Sequence, residues 1–470
     1  MLRPLWTASE AAAATGGRVV GDWSVTGISI DTRTLQPGEL FVALKDTRDG
    51  HDFVPNAYKA GAGACLVSRQ IDDVPALQVD DTLTALEDMG RAARARTDAF
   101  CCAITGSVGK TSVKEMVARI FRSQGHAHWS VKSFNNHWGV PLTLARMPEE
   151  TTRAVFEIGM NTPGEIEPRS LMVQPHAALI TKIAPAHLEG MGSEDAVAIE
   201  KSAIFAGLES DGFILLPSND RFFDLLSQRA RDYAPKAKLL TFGDYRSDAF
   251  VTASECDGVS TRFDVSVQGE TVSVSVDAVG EHWGQNIAAA MLLATCSGIS
   301  AEDAAEALSG YTPPEGRGQA EWLALPEDGK ALLVDDAYNA NPESMRAALA
   351  GFAQRPANRH LIALGEMKEL GPDADKLHAD LAPQIIACNP AIVFLAGDGI
   401  KPLAEALEGK VKTEWAPNAA GLQQMVNKLL TDGDALLIKG SNASGMRTLA
   451  DALRTWSKAQ TLPEMDSKDR

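Results

Sequence analysis

Thr105-Gly106-Ser107-Val108-Gly109-Lys110-Thr111 lies between a short apolar run, Cys101 to Ile104, and a segment with helical periodicity. Val113, Met116, Val117, Ile120 and Phe121 recur at i, i+3, i+4, i+7 and i+8, so a helix is expected to begin at this loop and bury that face. A helix N-terminus presents unpaired N–H groups and a partial positive charge, an arrangement suited to phosphate. Gly106, Ser107, Val108 and Gly109 then form a cradle, Lys110 reaches the terminal phosphates, and the Thr111 hydroxyl reaches Mg²⁺. The usual pattern places its first glycine five residues before the second, where this chain has Ile104. Taken alone, the stretch therefore also reads as a glycine turn with a solvated Lys110.

The strand–loop–helix reading extends outward. Ala154 to Gly159, Ala177 to Thr181, Gly212 to Leu216 and Lys238 to Phe242 are further apolar runs of strand length. Continuous hydrophobicity of this kind suits a parallel sheet covered on both faces. Val251 to Val279 alternates more strictly, with Val272, Val274 and Val276 facing inward, and predicts an antiparallel segment with one wet face. Gly284 to Cys296 reads as a helix, and Tyr311 to Gly318 as a Pro/Gly hinge. Beyond it Ala331 to Val334, His360 to Ala363, Ala391 to Leu395 and Ala435 to Ile438 are strands of a second, doubly wound sheet. Residues 1 to 97 alternate short strands and helices. The expected class is thus α/β in three domains: 1–97, a central phosphate-loop domain at 98–312 with an added antiparallel segment, and a Rossmann-like domain at 313–470 whose last ten residues fray.

Composition narrows the function classes. A formal charge of −18 argues against an extended nucleic-acid surface, which needs clustered Lys and Arg. It does not exclude a nucleotide, because exposed charges are screened beyond about 8 Å and Lys110 acts locally. No apolar run approaches the ~20 residues of a membrane span and no signal-peptide core follows Met1, so a cytoplasmic protein without membrane insertion is expected. Six cysteines without a C-x-x-C spacing read as reduced core residues.

Several polar residues close strands or open loops, where ligands of open α/β sheets gather. Glu157 ends an apolar strand, a costly place for a carboxylate unless it meets a cation. His187 follows the strand Ala177 to Thr181, and a lone histidine there is equally a structural one. By composition Lys201 is an exposed helix lysine. Asn135 to Pro141 reads as a polar turn, and Asp335 to Asn341 as a strand-to-helix loop in which the asparagines serve as caps or as ligands. In the first domain Asp31, Thr32, Arg33, Asp49, Gly50 and His51 form either a network of ion pairs or a pocket for a polar substrate.

Together these segments resemble the Mur ligases, the ADP-forming amino-acid ligases of peptidoglycan precursor synthesis. The resemblance rests on Ser29-x-Asp31-Thr32-Arg33, Gly50-His51-Asp52-Phe53, the short phosphate loop, Asn136 to Pro141, Glu157-Ile158-Gly159, His187-Leu188-Glu189-Gly190 and Lys201-x-x-Ile204-Phe205. It continues in Gly280-x-His282 with Asn286, Gly316-Arg317-Gly318, Asp335 to Pro342 and Lys439-Gly440-Ser441. The element Tyr338-Asn339-Ala340-Asn341-Pro342 is similar to that of members joining D-alanyl-D-alanine to UDP-N-acetylmuramoyl-tripeptide. The resemblance implies ATP as co-substrate, two Mg²⁺ sites and a monomer as the working unit. It also implies roles: Asp31, Thr32, Arg33, Gly50 and His51 toward the UDP end; Thr111, Glu157, His187 and a carbamylated Lys201 at the metals; Asn286 toward adenine, Arg317 toward phosphate and Asp336 toward ribose. The chain departs from the family pattern at Trp283, Ala203 and Asn442. Two rival readings are a related ligase, such as one adding the third residue or a folylpolyglutamate synthase, and a nucleotide switch that performs no synthesis.

Overall fold

The computed structural model describes residues 3–71 and 74–461. Three large sheets follow one another along the chain. The first has five strands in the order Arg18–Val20, Ala76–Gln78, Ala64–Val67, Leu40–Val42, Ile28–Ser29, parallel except at its first pair. The second has nine strands, and Phe100–Thr105, third from one edge, is flanked by Arg153–Glu157 and Ala177–Ile180. Phe213–Pro217, Lys238–Gly243 and Ala249–Cys256 extend it in parallel, and the hairpin Thr261–Val267 and Glu270–Val276 finishes it antiparallel. The third sheet runs Gln319–Ala324, Lys330–Asp336, Asp434–Lys439, Arg359–Gly365, Ile392–Ala396, Thr413–Ala416. Only its first pair is antiparallel.

The period of two along each strand sends alternate residues into separate cores. In the central sheet Cys102, Ile104, Val155, Leu179 and Leu215 pack on one face, while Cys101, Ala103, Phe156, Ile180 and Leu216 pack on the other. The third sheet behaves alike, with Leu333, Ala363 and Phe394 opposite Val334, Ile362 and Leu395. Both faces being covered explains why the runs are continuously apolar. The hairpin strand Glu270–Val276 has one wet face instead: Val274 and Val276 are buried, Val272 is half-buried, and Ser273 and Ser275 are exposed.

The helix expected after the phosphate loop spans Lys110–Ser123, and Val113, Met116, Val117, Ile120 and Phe121 are all buried along it. The first and second sheets are tied by a shared core, since Leu142 and Ala145 of helix Gly139–Ala145 pack among Leu40, Leu66 and Leu86. Arg146 Nε adds a bond of 2.6 Å to the Ile28 carbonyl, and Trp6 Nε1 one of 2.8 Å to that of Ala145.

Some expectations need correction. Lys201 is no surface lysine: it is 1% exposed, at the end of helix Glu194–Ser202. Cys256, at the last position of its strand, is exposed and not a core residue, while Cys296 is half-buried and packs against the central core. The edge strands Ala127–Trp129, Gln319–Ala324 and Thr413–Ala416 carry too short or too polar a pattern to be read as strands. Residues 462–470 of the expected frayed end lie outside the described residues, while the backbone of Thr461 closes helix Met446–Thr461.

Phe121, 1% exposed, joins the helix behind the phosphate loop to the core. Phe121→Ala is expected to cost about 3–5 kcal/mol by lost burial and cavity formation. A lower denaturant midpoint of the transition involving this domain checks it.

Candidate active site

Strand Phe100–Thr105 is the first of its sheet in the chain, and the later strands are added on both of its sides, Arg153–Glu157 on one and Ala177–Ile180 on the other, so its carboxyl end opens a crevice at the switch point. The loop from Gly106 to Gly109 turns there into the helix. Gly106 has φ +149°, and a Cβ on it would meet Thr181 Oγ1 at 1.9 Å. Thr181 Oγ1 donates to the Val108 carbonyl at 2.5 Å, and the Ser107 N–H donates to the Lys182 carbonyl at 2.7 Å, so the neighbouring strand end holds the loop. Gly109, with φ +83°, occupies the N-cap position, and no side chain caps the helix. Its first N–H groups are left for a ligand.

Lys110 folds back so that Nζ donates to the Gly106 carbonyl at 2.6 Å. Burial lowers its pKa, against the opposing pull of Glu157. Thr111 Oγ1 donates to Glu157 Oε2 at 2.8 Å, and Asn135 Nδ2 donates to Oε1 at 2.7 Å. Glu157 itself is 1% exposed. A hydroxyl and a carboxylate at the phosphate loop are a hard oxygen donor set that fits Mg²⁺.

These residues line one cavity of about 880 Å³ together with residues of the hinge and the third sheet. Arg317 places its guanidinium 4.2 Å from the Tyr338 ring centre and donates from Nη2 to Ser133 Oγ at 3.3 Å, reaching from the hinge to the central domain. Asp336 pairs with Lys439 at 2.8 Å, yet burial still raises its pKa above the ordinary carboxylate value. Asn286 approaches the loop at Gly109, where an added Cβ would lie 2.7 Å from its Oδ1. His282, held neutral with a pKa lowered to about 4 by burial and by Lys439, lines the same wall.

His187 also lines the cavity, in a left-handed conformation of φ +57°, and its Nδ1 lies 2.6 Å from Glu369 Oε2 of the C-terminal stretch. Among the described residues no group of three or more His, Cys, Asp or Glu is disposed to hold a metal. Lys201 sits behind the cavity wall. Burial, and then the charge of Lys110, drive its pKa well down, while Glu200 and Glu157 oppose them. Asn341 is spent as the N-cap of helix Pro342–Phe352, in a reciprocal box with Ser344.

A second cavity of about 410 Å³ is lined by Asp31, Thr32, Arg33 and Gly50. Phe134, His137 and Trp138 of the central domain complete it, so the polar turn at 135–141 joins both cavities. Asp31 holds Arg33 in a pair of 2.6 Å and is thereby kept below the usual carboxylate range. His51 is not on that wall: its Nδ1 lies 2.6 Å from Asp49 Oδ1, and its Nε2 accepts from the Ser68 N–H at 2.9 Å. Asp31 and Arg33 are thus both an ion pair and part of a cavity wall, whereas Asp49 and His51 belong to a pair off that wall.

Sequence reasoning missed Lys182, Glu343 and Glu369, all on the cavity wall. Lys182 pairs with Glu343 across the two domains. Its position one residue past a strand end was a usable signal; Glu369, in an irregular loop, had none. Of the three departures from the family pattern, Trp283 is buried and stacks obliquely 6.2 Å from Tyr311, Ala203 is buried, and Asn442 lines the cavity.

Comparison with known proteins adds an independent line. The Mur ligase family, catalytic domain, matches residues 24–93; the Mur ligase middle domain matches 104–294; and the Mur ligase, glutamate ligase domain, matches 321–442. The chain is 34% identical over 454 residues to the UDP-N-acetylmuramoyl-tripeptide--D-alanyl-D-alanine ligase of Escherichia coli (strain K12), covering 95% of this chain and 98% of that one. It is similar to the crystal structure of MurF from Acinetobacter baumannii, with a TM-score of 0.83, 30% identity, and coverage of 97% and 99%. The MurF ligase of Thermotoga maritima in complex with ADP shares the fold, at a TM-score of 0.77, 20% identity, and coverage of 92% and 98%.

Gly106→Ala forces a side chain into a hydroxyl and a backbone region that L-residues avoid, a strain of about 1–3 kcal/mol before any contact is counted. At least tenfold weaker nucleotide binding is expected, about what 1.4 kcal/mol gives, and calorimetric titration with ADP checks it.

Proposed function

The chain belongs to the Mur ligase family, and we infer from that membership and from the site that it is an ATP-dependent, ADP-forming ligase. It joins D-alanyl-D-alanine to UDP-N-acetylmuramoyl-tripeptide in peptidoglycan precursor synthesis. The observation that carries the ligase reading is the one cavity in which an uncapped helix N-terminus, Lys110 and Glu157 face Arg317 and Asp336 across the hinge. The choice of substrates rests on relatives similar over nearly the full chain.

The tripeptide carboxylate attacks the γ-phosphorus of ATP, ADP leaves, and an acyl phosphate forms. Anion approaches anion in this step. Lys110, Arg317 and the N–H groups of the first helical turn offset the charge developing on the transferred phosphoryl group. Mg²⁺, when bound, supplies Lewis-acid neutralisation of the same oxygens. Thr111 and Glu157 are the residues that would hold it, and His187 would contribute to a second site. Asn286 would contact adenine and Asp336 the ribose. The amine of D-alanyl-D-alanine then attacks the acyl carbon; the tetrahedral intermediate expels phosphate, and the amine proton is released as the amide forms. Water competes for the acyl phosphate, so pairing of the central and C-terminal domains around the cavity favours the amine.

Lys201 would act as a carbamate. Carbamylation needs a neutral amine, and a buried lysine with a strongly lowered pKa supplies one. The product carries the charge of a carboxylate and would serve the second Mg²⁺. The second cavity, with Asp31, Thr32, Arg33 and Gly50, would receive the UDP end. His51, being held by Asp49 and Ser68, would order the loop rather than touch the ligand.

Phosphate release from ATP and Mg²⁺ is expected only when both UDP-muramoyl-tripeptide and D-alanyl-D-alanine are present; release indifferent to the dipeptide refutes the assignment, and favours a nucleotide switch. For Lys201→Ala, turnover is expected to fall about 10- to 100-fold without rescue by bicarbonate, the range typical of groups that support a metal site. Wild-type enzyme in CO₂-free buffer should lose activity and regain it on adding bicarbonate, since the buried amine is already in the neutral form that reacts with CO₂.

A further inference from the structure

We propose that Asn135 is a positioning residue for the Glu157 carboxylate, setting which of its oxygens is presented to the metal; the proposal rests on the reading of Glu157 as a Mg²⁺ ligand. Glu157 is buried, and both its oxygens are engaged by side chains from different segments. Oε2 accepts from Thr111 Oγ1 at 2.8 Å, and Oε1 accepts from Asn135 Nδ2 at 2.7 Å. The Thr111 hydroxyl can turn away, because a hydroxyl also accepts and has a free rotor. The Asn135 amide nitrogen can only donate. It therefore holds Oε1 whatever occupies the site, while Oε2 and Thr111 are free to face a cation together.

The backbone around Asn135 is built to keep that amide in place. Its carbonyl accepts from the Gly159 N–H at 2.9 Å, which ties the loop to the residue two beyond Glu157. Gly159 leaves room for the side chain: a Cβ there would lie 2.8 Å from Asn135 Cγ. Ser130 Oγ accepts from the Glu157 N–H at 3.1 Å, a second tie between the same two segments. The loop is also fastened to the phosphate-loop helix by Lys114. This lysine is fully buried, and its Nζ donates to the Ser130 carbonyl at 2.7 Å and to the Lys132 carbonyl at 2.9 Å, besides pairing with Glu115. The helix that carries Lys110 and Thr111 thus fixes the loop that carries Asn135, and Asn135 fixes Glu157. One frame holds both the phosphate loop and the carboxylate.

The test uses the full-length protein, with Mn²⁺ as the probe in the presence of ADP, read by electron paramagnetic resonance of free Mn²⁺. Asn135→Ala is expected to weaken Mn²⁺ binding about tenfold, as loss of an outer-shell partner does. Asn135→Asp, of the same shape but bearing an acceptor against Glu157, is expected to weaken it at least as much. Binding of ADP without metal should stay within about twofold of wild type in both, and Glu157→Gln combined with Asn135→Ala should bind no more weakly than Glu157→Gln alone, because coupled residues are not additive. If Glu157→Gln weakens Mn²⁺ binding and the Asn135 variants do not, the positioning role is overturned and the metal role of Glu157 stands. Asn135 variants that weaken metal-free ADP binding equally, or that add to Glu157→Gln, overturn it as well. If Glu157→Gln itself leaves Mn²⁺ binding unchanged, the metal reading falls and the proposal with it.

Discussion

Helix Lys110–Ser123 begins without a side-chain cap, and the arrangement of the site follows from that gap. A helix N-terminus left bare inside a protein is costly, because its first N–H groups have no partner within the helix. On the proposed function the missing acceptor is a nucleotide phosphate. Gly106 and Gly109 allow the loop to bend back over the opening, Thr181 braces it from the adjacent strand, and Lys110 adds a full positive charge to the partial one of the helix. The central sheet buries the rest of the helix, so the site sits on a rigid element rather than on a flexible loop.

Around that anion seat, charge is laid out in layers. Glu157 stands close beside Lys110 and reduces the cost of burying it, although burial still dominates the lysine's pKa. Lys201 lies behind, as a second buried amine whose basicity is suppressed partly by Lys110. On the opposite wall half-buried Asp336 pairs with buried Lys439, and the Arg317 guanidinium sits over the Tyr338 ring and donates to Ser133. Neither wall alone brings all these groups together. The cavity is a property of two domains and their hinge.

The fold was legible because parallel sheets covered on both faces leave continuous apolar runs, and each of the runs at 101–104, 154–159, 177–181, 331–334 and 435–438 became a strand. Edge strands were not legible: Thr413–Ala416 is short and partly wet, and pairing rather than hydrophobicity makes it a strand. At the site, the phosphate loop and Glu157 could be read from position, since strand ends in open α/β sheets are where ligands lie. Lys201 could not. Burial of a lysine is decided by what packs over a helix end, which no local pattern records, and only resemblance to a family pointed to it. Glu369 and Glu343 illustrate the same limit, because their importance depends on a contact between residues more than a hundred positions apart.

Those two contacts, Lys182 with Glu343 and His187 with Glu369, carry a consequence for turnover. Each joins the central domain to the C-terminal one, and each is partly open to water, with Lys182 39% and Glu369 52% exposed. Exposed pairs of this kind contribute about 0–1 kcal/mol and are weakened by salt. Fastenings so weak close the cavity without locking it, and in the proposed ligation thermal motion suffices to part them once no phosphate group spans the two walls. Ionic strength thereby acts on the rate at which products leave as well as on the encounter with charged substrates.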